Sequence, residues 1–304
     1  MRRLLLLLAV LALVAPACSA GDEEIAWVGD ETIRLSDIGA LFEGDTLPLD
    51  EVFLDTLFRV MAVEALHQAL AADFGDTVHA DVYDRYLSQL ETARAEQGVS
   101  PAQFLGVPNA SLAMVEFNAE VLALRDTTIE HLMVSPATVD MLFADPATLT
   151  TVCAKHILVA TQEEAEAVVE RLEGGEDFAA VAGEVSTDTS TEGGDLGCAL
   201  AAGYVEGFAQ AAMDAPLGEV FGPVETDFGF HVLVVSERTA PTQEEYLAAP
   251  RESLSDEEIG NLWTEWFNDV LQTVDARVAE KYGSWTSIGI KAPEDPTTTT
   301  SSAG

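Results

Sequence analysis

The sequence predicts an α+β protein in which a strand-containing segment is set between two mainly helical stretches. Three observations carry this expectation. Leu54, Leu57, Phe58, Met61 and Ala65 recur at steps of three and four, the period of an amphipathic helix. Near the other end Ile259, Leu262, Trp263, Trp266, Phe267, Val270, Leu271, Val274 and Val278 form a second, wider stripe. Between them, residues 153–159, 220–225 and 230–236 are short β-branched or aliphatic runs, which read as strands.

Taken in order, Arg2 and Arg3 precede an unbroken apolar run over 4–14, the form of a signal peptide over residues 1–17. The run is too short to span a bilayer, and no later segment is long and apolar enough to do so. Ala15-Pro-Ala-Cys18 fits two processing routes. As a lipobox it makes Cys18 a diacylated first residue, anchored on the outer face of the cell membrane. As an Ala-x-Ala site it gives a secreted protein with an incidental thiol at Cys18.

Residues 25–33 read as strand, turn and strand, and Ser36 and Asp37 as a helix start. Helical periodicity begins near Leu49. Further helices are expected over 78–97, stopped by Gly98, over 111–131, and after Pro136. Thr161-x-x-Glu164 is a capping box for a helix that Gly174-Gly175 ends. A short helix over 176–182, a loop to about 202 and a helix over 206–213 lead to the closing strands. After Pro241 the chain turns helical, with Ser255 and Glu258 as a second capping box and Gly283 as the stop. One such helix is not stable alone. It either packs on the N-terminal helical segment, residues 18–150, or exposes a client-binding face. The expected divisions are therefore 1–17, 18–150, 151–240, 241–285 and a disordered Thr/Ser-rich tail over 286–304.

The formal charge of −39 over 304 residues excludes nucleic acid as the default partner, since phosphate binding needs basic patches. Solubility explains such a charge, and so does repulsion from anionic surfaces or attraction to basic unfolded clients.

Three motifs occur in order: Ala154-Lys-His-Ile-Leu-Val159, Gly193-Gly-Asp-Leu-Gly197 and Thr226-Asp-Phe-Gly-Phe-His-Val-Leu233. Together they resemble the parvulin-type peptidyl-prolyl cis/trans isomerases over residues 151–240. The helical N-terminal half has the look of the SurA-like and PrsA-like extracytoplasmic foldases. The resemblance implies a four-stranded antiparallel sheet with surrounding helices, inserted between chaperone-type helical segments.

It also implies roles. His156 and His231 are the paired central histidines, hydrogen-bonded to each other or to Thr226. They act directly or serve as scaffold. Asp188 falls at the loop position that sets the electrostatics beside the substrate carbonyl. Leu196, Tyr204 and Phe208 line a proline pocket, with Tyr204 where many relatives carry Met. Gly193, Gly194 and Gly197 read as turn glycines. No cofactor and no metal site are implied.

Export makes the cysteines informative. With Cys18 lipidated, Cys153 and Cys198 remain as a pair that an oxidising compartment favours joining. The metal reading has neither Cys-x-x-Cys nor paired-His spacing behind it. Phosphate-directed parvulins carry a basic cluster after the first strand. Here that stretch is Ala160-Thr-Gln-Glu-Glu-Ala-Glu166, and Arg171 is the only basic residue between Lys155 and Arg238. The implied substrates are unphosphorylated Xaa-Pro bonds in unfolded exported chains. The rival readings are a binding chaperone with a silent parvulin-like domain and an envelope adaptor.

Overall fold

The computed structural model describes residues 22–44 and 51–293. The expected signal peptide, Cys18 and tail residues 294–304 lie outside the described residues. Nine strands occur among those described: β1 Glu24–Val28, β2 Glu31–Arg34, β3 Thr151–Val159, β4 Asp195–Leu200, β5 Val220–Thr226, β6 Gly229–Thr239, β7 Ala276–Val278, β8 Ser284–Thr286 and β9 Gly289–Lys291. The chain divides into two compact units. One holds the residues up to Leu132 together with those from Asp256 on, and the other holds Met133–Ser255.

In the first unit, β1 pairs antiparallel with both β2 and β7. Long helices cover Glu51–Phe74, Ala80–Gln97 and Leu112–Val134, with a short one at Pro101–Leu105. Ser100 and Gln103 form a reciprocal cap for that short helix, with Pro101 in its first turn, where a missing N–H costs nothing. The core gathers Phe53, Leu57, Met61 and Leu70 of the first long helix with Ile25 and Val28 of β1. Val270 and Leu271 of the Asp256–Thr273 helix join them, and Trp263, Trp266 and Phe267 pack half-buried against the same cluster. Trp266 Nε1 donates to Asp73 Oδ2 at 2.9 Å.

Two expectations at this end need correction. The last helix stops at Thr273, so Val274 and Val278 lie off it. Val278 instead sits opposite Ala26 in the β7–β1 pair. The apolar stripe continues in sequence, but the open edge of β1 offers backbone partners that a lengthened helix could not supply. Likewise the start of the expected tail is ordered: β8 and β9 form a hairpin over 284–291, and Trp285 stacks on Phe58 with centroids 5.1 Å apart.

The second unit is a four-stranded antiparallel sheet in the order β4-β3-β6-β5, an α+β arrangement. Strand alternation sorts its side chains to two faces. Val152, Ala154, Leu233 and Val235 pack with Phe208, Ala211 and Ala212 of the Glu206–Asp214 helix. Ile157, Val159 and Val232 pack with Ala165, Val168 and Leu172 of the Gln162–Glu173 helix on the other face. The Thr161–Glu164 capping box is present, with Thr161 Oγ1 accepting from the Glu164 N–H. Strand β4 corrects the loop expected up to residue 202. Its short Asp-Leu-Gly-Cys-Ala-Leu run shows little alternation, because it is an edge strand fixed by pairing with β3. No helix among the described residues is long and apolar enough to cross a membrane.

Leu57 is fully buried in the first unit's core. Leu57→Ala should therefore cost about 2–5 kcal/mol in urea unfolding of the full chain. A loss below about 1 kcal/mol would mean the Glu51–Phe74 helix does not pack as described.

Candidate active site

The site lies on the sheet face covered by the Glu206–Asp214 helix. His156 on β3 and His231 on β6 are set diagonally, since Leu158 pairs with His231 and His156 with Leu233. Both are buried, at 6% and 5% exposure. Their rings stack at 22° with centroids 5.3 Å apart, and Nδ1 faces Nδ1 at 3.1 Å. One Nδ1 must carry the proton and the other must be bare, so the two rings cannot both be cationic.

The outer ring nitrogens continue the series. His156 Nε2 lies 2.8 Å from Asp188 Oδ2, and His231 Nε2 lies 2.9 Å from Thr226 Oγ1. An ionised carboxylate only accepts, so His156 carries its proton on Nε2. With a neutral ring its Nδ1 is bare and accepts from the His231 Nδ1–H. That leaves His231 Nε2 to accept from the Thr226 hydroxyl, which in turn accepts the Phe228 N–H at 3.2 Å. Each donor therefore points the same way, from Thr226 through both rings to Asp188.

Asp188 is held well below the usual carboxylate range, at about 2, first by the Ser190 hydroxyl and then by the Ser190 N–H. Both donate to Oδ1, at 2.6 and 2.9 Å. Burial pushes His231 down to about 4, and the neighbouring His156 pushes it further in the same direction. The loop bearing Asp188 is pinned to β3, where the Thr187 N–H and hydroxyl both donate to the Leu158 carbonyl and Ser186 Oγ accepts the Leu158 N–H.

Two glycines let the backbone close on the pair. Gly194, at φ +74°, packs so tightly on the His156 carbonyl that a methyl group there would overlap it. A Cβ on Gly222, at φ +140°, would sit 2.7 Å from the His231 carbonyl. Gly194 thus does more than make a turn.

Beside the rings lies an apolar patch. Phe208, 2% exposed, meets His156 and His231 edge-on, with centroids 5.7 and 5.2 Å away. Tyr204 packs on Phe208 at 4.9 Å, and burial raises its hydroxyl pKa. Leu196 packs partly buried against the same cluster, as do Phe221 and Val224, which sequence patterning leaves indistinct from ordinary strand residues. On the adjoining edge Cys153 and Cys198 are register partners, with sulfurs at bonding distance, 2.01 Å. The structure thus brings His156, Asp188, His231 and Thr226 into one hydrogen-bonded series and sets Leu196, Tyr204 and Phe208 beside it. Ser190 was missed because nothing in a Ser-Thr-rich loop marks which hydroxyl turns inward.

A domain of this fold, with paired buried histidines beside an aromatic patch, has a known counterpart. Residues 150–237 match the family model described as Rotamase: PPIC-type PPIASE domain. Among curated proteins, a foldase protein PrsA of Halalkalibacterium halodurans is 45% identical over 92 residues, 30% of this chain and 28% of the relative. A foldase protein PrsA of Caldanaerobacter subterraneus is 48% identical over 82 residues, 26% of this chain and 27% of the relative. The chain thus spans little more than a quarter of the length of these relatives. A solved structure titled peptidylprolyl isomerase (PrsA) from Bacillus cereus covers 86% of this chain and 96% of its own. Its TM-score is 0.50 at 20% identity, a likeness of fold.

The buried histidine gives stability a defined pH dependence. The folded value near 4 lies below the ordinary 6.5, so the unfolded chain binds the extra proton between them. Stability is then full above about 6.5 and is lost as pH falls towards about 4, by roughly 3 kcal/mol. In urea unfolding from pH 7 to 4, His231→Gln should flatten this slope. An unchanged slope would show that His231 is not buried neutral.

Proposed function

We propose that the chain is a peptidyl-prolyl cis/trans isomerase and folding helper acting on unphosphorylated Xaa-Pro bonds of exported proteins. The observation that carries this reading is the proton-ordered series Asp188–His156–His231–Thr226 lying against the Leu196, Tyr204 and Phe208 patch.

Prolyl rotation needs no nucleophile. The barrier of about 18–20 kcal/mol is amide resonance, and a catalyst must favour the twisted amide over the planar one. The apolar patch receives the proline ring and excludes water. Twisting breaks conjugation and reduces charge separation, so a dry surface favours it. The Asp188 carboxylate, ionised and fixed by Ser190, sets a negative field beside the substrate carbonyl. That field penalises the resonance form with charge on oxygen, which the planar amide needs most. His156 and His231 hold Asp188 in place, and the Thr226 hydroxyl closes the far end of the chain of donors.

The charge distribution supports unphosphorylated substrates. Arg171 is tied to Glu176 and Glu184 at 2.8 and 2.7 Å, and Arg238 donates to the carbonyls of Ala212 and Ala215. A phosphate finds no basic cluster on this domain among the described residues. The signal-like N-terminus supports an extracytoplasmic site of action, with Cys18 lipidated on the outer face of the cell membrane. An oxidising compartment would form the Cys153–Cys198 disulfide, which closes a separation of 45 residues and ties β4 to β3. The curated relatives' printed name, foldase, supports unfolded polypeptides as partners.

Exchange NMR on Ala-Xaa-Pro peptides with the full chain tests this. Cis/trans exchange should accelerate, and Asp188→Ala and Phe208→Ala should each reduce the rate by roughly ten-fold or more. No acceleration for any Xaa from a folded chain would sink the enzyme reading and favour a binding chaperone.

A further inference from the structure

A second cluster of histidines lies in the first unit, remote in sequence from every residue of the candidate active site. Asp76 sits in the connection between the Glu51–Phe74 and Ala80–Gln97 helices, and His79 is the N-cap residue of the latter. His131 lies in the last turn of the Leu112–Val134 helix. Nε2 of His79 and Nε2 of His131 both face one oxygen, Asp76 Oδ2, at 2.9 and 2.8 Å. All three ligand atoms lie within 4.8 Å of one another. We propose that Asp76, His79 and His131 form a binding site for a late first-row divalent cation of the Zn2+ class.

The dimensions suit such an ion. Metal–ligand bonds of about 2.0–2.1 Å in tetrahedral geometry put ligand atoms about 3.3 Å apart. Two sides of the present triangle need to open by about half an ångström from 2.8 and 2.9 Å, and the third is at most 4.8 Å. Two imidazoles and a carboxylate select Zn2+, Cu2+ or Ni2+ over Ca2+ and Mg2+, which demand oxygen. Half-exposed side chains leave the remaining coordination positions to water.

Each ligand is also oriented by a neighbour, which distinguishes a built site from a chance meeting. Asp76 Oδ1 accepts the Thr77 N–H at 2.7 Å, which turns Oδ2 towards the rings. The His131 ring lies flat on Phe74, at 9° with centroids 5.1 Å apart. The His79 N–H donates to Thr127 Oγ1 at 3.3 Å, one helical turn before His131 on the same helix face. Glu130 Oε2 lies 3.8 Å from His79 Nδ1, where its charge would hold a proton on Nδ1 once a metal displaces the one that Nε2 shares with Asp76. The carboxylate remains ionised, at about 2, through the His79 contact first. A chain of net charge −39 adds a long-range attraction for cations.

The sequence reading found no metal site because Asp-x-x-His is common and His131 lies 52 residues beyond His79. A bound cation would join the connection before the Ala80–Gln97 helix to the end of the Leu112–Val134 helix.

Zn2+ titration of the full chain, by competition with a chromogenic chelator, tests the site. One equivalent should bind at micromolar or tighter affinity. His79→Gln and His131→Ala should each weaken it roughly ten-fold or more, with His67→Ala unchanged. Circular dichroism checks the fold of each variant, and the partly exposed His79→Gln decides if His131→Ala fails to fold. Co2+ should give the visible bands of a tetrahedral or five-coordinate centre. No stoichiometric Zn2+ binding would overturn the proposal, as would binding that persists in folded His79→Gln or disappears in His67→Ala.

Discussion

The 3.1 Å contact between His156 Nδ1 and His231 Nδ1 is the constraint on which the rest of the second unit depends. A buried pair of imidazoles can share one proton between facing nitrogens and no more. Together with the ionised Asp188, which only accepts, that fact fixes which outer nitrogen donates to Asp188 and which accepts from Thr226. It also requires β3 and β6 to be neighbours in one register, because a slip of one residue would turn a ring to the other face. The glycines at 194 and 222 follow from the same demand, since backbone must close on both histidine carbonyls.

Packing and chemistry coincide here. Phe208 is at once the centre of one hydrophobic cluster and the edge-on neighbour of both rings. The wall that keeps the histidines dry is therefore also the apolar surface a proline ring would meet. The burial that lowers the His231 pKa and the burial that would favour a twisted amide have one source. The polar end of the series is different in kind. Asp188 is partly exposed and owes its charge to Ser190, so it can carry a field to the surface without a deep desolvation cost.

Much of this was legible in the residues. Helix starts were clearest where a side chain closes on its own backbone, as Thr161 and Glu164 do. The pairing of His156 with His231 and the placing of Asp188 came from three ordered motifs, not from periodicity. What was not legible was decided by partners distant in sequence. Strand β4 exists because β3 offers it an edge. Val278 leaves a plausible helical stripe because β1 offers another. Ser190 shows its role only once the loop is folded on Leu158, and Asp76, His79 and His131 meet only when three helices have packed.

The measurement closest to the centre of this picture is the protonation of the four ring nitrogens, read by 15N-labelled histidine NMR at neutral pH. A proton on Nε2 of His156 and on Nδ1 of His231, with His156 Nδ1 and His231 Nε2 bare, is the expected pattern. Two rings that both carry the proton on Nε2 would contradict it. The shared hydrogen bond would then be absent, and the ordered series from Thr226 to Asp188 with it.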